Sequence, residues 1–309
     1  MTRTARRPLA ALAAAVLGIT GLTGCRALDN SADAVTINGK SWSRDELNNL
    51  VTALVAAQQF SAPGGRANSQ DLASVISVMV QFKAGQQMLA DVGAKIAESD
   101  RTTLRDALVK QGSTLDTATV DLLVDIAATG GTIDKLTVPT EAQSKAAYES
   151  QPARSGAMCV AEITVATEAA AREVSDQLAE GKKFTDIARK VSTNTERKSS
   201  GGNVVDGAGN QCLGLGSIDD QVSAALLSQL FNLAPGKPTS VVKDDEGWHV
   251  AVNRPWADVR SEHAKTLSSL TDQGTPQAGR LLLAGYVATS DVRVNSMYGT
   301  WNPVTSRVE

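Results

Sequence analysis

Few side chains in this sequence could carry out chemistry. It contains two histidines and three cysteines. His249 lies in "DDEGWHVAV", directly after a glycine turn and at the start of a β-branched run. A histidine placed there by a tight turn either handles a proton or a hydrogen bond, or packs as a core residue bonded to a neighbour. His263 lies in the charged "RSEHAK" and reads as a solvated helix residue. No Ser-His-Asp set and no metal-ligand spacing occurs, and no metal or other cofactor is implied. "SSGGN" is glycine-rich, but it lacks the strand before it and the Lys-Ser/Thr of a phosphate loop. No histidine neighbours Cys159 or Cys212 in sequence, which argues against a thiol nucleophile.

The remaining cysteine, Cys25, belongs to the N-terminus. Arg3, Arg6 and Arg7 precede an apolar, small-residue run from Leu9 to Gly21. That run is too short to span a bilayer and fits a signal segment, 1–24. It closes with Leu22-Thr23-Gly24-Cys25, which resembles a bacterial lipobox, so Cys25 is the expected lipidation site and first mature residue. The polar stretch 25–33 then reads as a tether. Export to an oxidising compartment makes Cys159 and Cys212 candidates for one disulfide, the alternative being two free buried thiols. The bridge would close a loop of about 54 residues, worth on the order of 4 kcal/mol. A net charge of −3 leaves no basic footprint for nucleic acid. The mature length of about 285 residues suggests two domains.

The elements follow from periodicity. Ala34–Ile37 reads as a strand, Asn38-Gly39 as a tight turn, and Ser43 with Glu46 as a capping box opening a helix. Apolar residues at helical spacing predict further helices over 70–95, 99–111, 116–128 and 141–148, with 129–140 as a loop. From "MCVAEITVAT" the pattern changes to a strand, helices at 168–180 and 183–191, a long polar loop, and a helix at 219–231. Strands at 240–242 and 248–253 follow, giving a compact β-α-α-α-β-β domain.

That order, with "AEITV", "FTDIARKVST", "SSGGN", "LFNLAPGKPTSVV" and "GWHVAVNR", resembles the parvulin family of peptidyl-prolyl isomerases over about 155–255. "ADAVTINGKSWSRDEL" and "DVRVNSMYGTWNP" resemble the ends of SurA and PrsA type extracytoplasmic chaperones. The resemblance implies an α+β chain. A helical SurA-N-like chaperone domain at 34–152 would be completed by a C-terminal helix and strand at 257–309, around a parvulin-like insert at 153–256. Asp291–Val294 would then lie beside Ala34–Ile37.

Isomerisation about X-Pro faces an amide-resonance barrier of ~18–20 kcal/mol. An apolar cup for the proline and donors aimed at the twisted amide lower it without covalent chemistry. By the resemblance, His249 takes the place of the last-strand histidine. Glu162 stands where the family has its first-strand histidine, and Asn194 where it has Cys or Asp. The proline-cup positions fall on Leu213, Val222 and Leu226, the last replacing an aromatic wall. Phe231 reads as core. Glu162 beside His249 would favour imidazolium. The implied function is a membrane-anchored, extracytoplasmic foldase or chaperone for unfolded or proline-containing exported polypeptides, with weak or lost isomerase activity. An active isomerase, or a dedicated membrane-surface partner protein, would be the alternatives.

Overall fold

The computed structural model describes residues 32–56, 67–110, 115–271 and 278–309. Cys25 and the signal segment lie outside them, as does most of the tether. The tether's last residue, Asp33, already belongs to the first strand.

β1 (Asp33–Ile37) and β2 (Lys40–Ser43) form a hairpin. Asn38 (φ 50°) and Gly39 (φ 76°) supply its two left-handed turn positions. α1 (Arg44–Ala56) starts on the capping box: the Ser43 N–H donates to Glu46 Oε2 at 2.8 Å, and the Glu46 N–H to Ser43 Oγ at 3.1 Å. α2 (Ser69–Asp91) ends four residues earlier than its periodicity suggests. Gly93 takes φ 72° there, and the Ala94 N–H reaches back to the Leu89 carbonyl at 2.8 Å. α3 (Glu98–Lys110) and α4 (Thr117–Ile133) follow. α4 runs through Gly130-Gly131 where the sequence reads as loop, because Ile133 is buried in a cluster with Met88, Leu89 and Leu282. α5 (Glu141–Ser150) is capped by Thr140 and leads into a 3₁₀ turn, Pro152–Ser155.

The single strand expected from "MCVAEITVAT" is two, β3 (Ala157–Met158) and β4 (Val160–Val165), parted at Cys159. α6 (Glu168–Ala179), α7 (Phe184–Val191) and α8 (Thr195–Ser200) come next, the last inside the expected loop. β5 (Leu213–Gly214) and α9 (Leu215–Ile218) end the stretch expected as loop, and the expected helix over 219–231 is the shorter α10 (Ala224–Leu230). β6 (Val242–Lys243), later than expected, and β7 (Trp248–Asn253) precede α11 (Trp256–Thr271) and α12 (Ala278–Ala288). β8 (Val292–Val294), β9 (Trp301–Asn302) and β10 (Arg307–Val308) close the chain.

The fold is α+β. β8 pairs antiparallel with β1, Val35 opposite Val294, giving the sheet order β2-β1-β8. The core beneath it joins Ala34, Leu47, Ile76 and Met79 to Val287 and Val308, so residues from both ends of the chain share one core. The second sheet has order β4-β7-β6. Ile163, Val165 and Val250 fill one side of it against α6 and α7. Val160, Ala251, Leu226, Leu230 and Phe231 fill the other. Among the described residues, no helix is long and apolar enough to cross a membrane.

Candidate functional site

Antiparallel register sets the geometry. Glu162 lies opposite Ala251, and His249 opposite Thr164, so Glu162 and His249 are diagonal neighbours on one face of the sheet. Long side chains bridge that separation. His249 Nδ1 is 2.6 Å from Glu162 Oε1. Nε2 is 2.6 Å from Asp244 Oδ1, across the β6–β7 turn. The turn can deliver Asp244 because Gly247 takes φ 144°, where a Cβ would meet the Val165 carbonyl oxygen at 2.7 Å. On the far side, the Arg197 Nε of α8 is 3.5 Å from Glu162 Oε2, and its Nη2 donates to the Gln221 carbonyl at 3.1 Å.

An ionised carboxylate accepts and does not donate, so a carboxyl group at each ring nitrogen favours the doubly protonated ring of His249. Burial alone would lower its pKa. The hydrogen bonds and charges of Glu162, then of Asp244, outweigh burial and raise it above the usual value. Bases and acids thus alternate along the chain Arg197–Glu162–His249–Asp244. Only Asp244 reaches solvent, with 29% of its side chain exposed against 2% for His249. Asp244 and Arg197 are absent from the sequence reading. Asp244 had a signal, an acid in the hairpin turn that feeds the histidine strand. Arg197 sits beside Lys198 in "TERKSS" with nothing to single it out.

Asn194 does not join this cluster. Its side chain caps α8, accepting the Glu196 and Arg197 N–H groups at 3.1 and 3.0 Å. It acts one step away, by fixing the helix that carries Arg197. We expect Asn194→Ala to cost about 1 kcal/mol in denaturant unfolding, as a lost cap does, and to leave the His249 titration by NMR in place. A downward shift of that titration by a full unit would show a direct role instead.

The proposed cup residues lie on the same side of the sheet but are packed away. Leu213, Val222 and Leu226 are 3, 3 and 0% exposed, in one core with Met158, Ile218 and Phe231. Phe231 is core, as expected.

His263 is a correction to the sequence reading. It is fully buried, and its Nε2 is 2.7 Å from Ser155 Oγ. Its ring meets Trp256 and Tyr148 edge-on, at 5.2 and 5.6 Å. The helix turns it inward because α11 packs on α5. Burial pushes its pKa down to about 4, so the ring is neutral. Cys159 and Cys212 are disulfide-bonded and fully buried.

Sheet, helices and a buried histidine at the start of β7 form an α+β domain. Residues 159–252 match the PPIC-type PPIASE domain family, Rotamase, and form a parvulin-type domain. Comparison with curated sequences gave no match. Among solved structures, PrsA from Bacillus subtilis is similar at 19% identity, over 83% of this chain and 92% of that one, with a TM-score of 0.28. Foldase protein PrsA from Streptococcus pneumoniae gives 18%, 82%, 92% and 0.28. A structure of the SurA-like chaperones PEB4 and Cj1289 of Campylobacter jejuni gives 18%, 79%, 95% and 0.26.

Proposed function

We propose that this chain is an extracytoplasmic folding factor, anchored to the membrane through Cys25, that binds unfolded exported polypeptides and turns over prolyl bonds weakly or not at all. Its working parts are the helical domain, 34–152 with 257–309, and the parvulin-type domain, 153–256. The family match of residues 159–252 supports the polypeptide-directed class. The single observation carrying the loss of turnover is the state of His249. Both ring nitrogens are already held by carboxylates at 2.6 Å, which leaves none for a substrate amide. The buried cup positions point the same way. Binding of unfolded chains then rests on surfaces other than the cup.

A protease-coupled assay with a short proline peptide, on the soluble chain starting after Cys25, tests this reading. Loss of one well-placed donor costs on the order of 10²-fold in turnover, so we expect activity at least that far below an active parvulin. Suppression of aggregation of an unfolded client should persist in His249→Ala. Turnover comparable to active parvulins, abolished by His249→Ala and Leu226→Ala, would establish the isomerase reading instead. The retained His249 within a matched rotamase domain is the observation that favours that second reading.

A further inference from the structure

The chain passes between the helical domain and the parvulin-type domain twice, before β4 and after β7. Both passages meet at one buried cluster of Tyr148, Cys159, Cys212, Trp256 and Val259. Cys159 separates β3 from β4, and its carbonyl accepts the Arg254 N–H of the return passage at 2.8 Å. The Tyr148 hydroxyl of α5 donates to the Arg254 carbonyl at 2.9 Å. Cys212 ends the long loop after α8, and its carbonyl accepts the Thr266 hydroxyl of α11 at 2.7 Å. The disulfide therefore joins the outgoing passage to a loop docked on α11, beside the return passage.

Noncovalent ties also cross the junction, among them Ser155 Oγ with His263 Nε2 at 2.7 Å. β3 and β5 pair over two residues each. Asp206 spends its side chain inside its own turn, accepting the Ala208 and Asn210 N–H groups, both at 2.9 Å. Gln211 contributes one bond to Arg254, at 2.9 Å, and one to Asn203, at 3.2 Å. The core under the first sheet and the one between the second sheet and α6–α7 are separate, but Ala288 and Val304 of the helical domain join the cluster of Met158, Leu226 and Phe231.

We propose that the Cys159–Cys212 disulfide is a redox-sensitive lock on the junction, fixing how the parvulin-type domain is held on the helical domain. A dithiol reductant opens it. Its thiolate attacks one sulfur, the S–S bond breaks, two electrons and two protons pass to Cys159 and Cys212, and the dithiol closes to its own disulfide. Both cysteines are 0% exposed, so attack waits on local opening of the junction. The lock does not depend on whether the domain turns over proline.

Hydrogen exchange by mass spectrometry on the chain, oxidised and after dithiothreitol, tests it. We expect amides of 148–158, 205–214 and 254–267 to exchange about tenfold faster after reduction, as for a sub-global opening, with 161–165, 248–252 and α2 unchanged. The doubly substituted Cys159→Ala/Cys212→Ala should fold and match the reduced chain. Acceleration spread evenly over both domains, or none anywhere, would overturn the proposal. So would a double variant that does not fold, since the bond would then be a staple of the fold and not a lock on its junction.

Discussion

Glu162→Leu should lower the free energy of unfolding by about 3–5 kcal/mol, because removing one partner leaves buried charges uncompensated. Two basic side chains, Arg197 of α8 and His249 of the paired strand, face the Glu162 carboxyl group. With the carboxylate gone, His249 keeps Asp244 and the Thr164 hydroxyl, and Arg197 keeps its bond to the Gln221 carbonyl. Urea unfolding with a common slope measures the effect. The triple variant Glu162→Leu/Arg197→Met/His249→Leu should recover most of the loss, since removing a whole buried ionic set for apolar residues is close to neutral. A cost below about 1 kcal/mol for Glu162→Leu would place the cluster among surface-like pairs and sink this account.

The two histidines, His249 in this cluster and His263 beside Ser155, bend the pH dependence of stability in opposite directions. His249 has a folded pKa above its unfolded value near 6.5. Its contribution is complete below about pH 6.5 and is lost as pH rises through the folded pKa. His263 has a folded pKa of about 4. Its neutral form is the native one, so its contribution is complete above about pH 6.5 and is lost as pH falls towards 4, on the order of 3 kcal/mol. Stability should therefore fall away on either side of a maximum near pH 6.5. His249→Leu should remove the alkaline slope and His263→Gln the acid one.

Gly285→Ala should destabilise by about 3 kcal/mol, although alanine in a helix interior ordinarily gains up to ~1 kcal/mol over glycine. A methyl at Gly285 would overlap the Ala153 carbonyl, and one at Gly279 the Ile133 carbonyl. These are backbone atoms of the 3₁₀ turn and of the end of α4, which cannot swing aside as a side chain would. Gly130 in α4 is the control: nothing lies within 4 Å of its Cβ position. Gly130→Ala should gain about 0.5–1 kcal/mol. Thermal unfolding of both variants reads the reversal of sign. Equal stabilisation by the two substitutions would mean that α12 does not pack as closely as this geometry requires.

Local chemistry determined much of this protein from the sequence alone. Turn glycines, capping residues and apolar spacing act over a few residues, so the β1–β2 hairpin, the Ser43–Glu46 cap, α6, α7 and β7 are legible in the sequence. The hairpin glycine before His249 and the β-branched run after it placed the histidine at the start of its strand. Glu162 beside it followed from the family resemblance, and the sheet register bears that contact out. What the tertiary structure decided is what those side chains meet. Asp244 and Arg197 join His249 and Glu162 only because β6, β7, β4 and α8 converge, and no spacing in the sequence encodes that. Asn194 became a cap because its side chain lay within reach of two free helix N–H groups. Leu213, Val222 and Leu226 are buried because α9 and α10 pack onto the sheet. His263 is buried because a helix of mixed polarity docks one face on α5, and sequence polarity alone cannot say which face is covered.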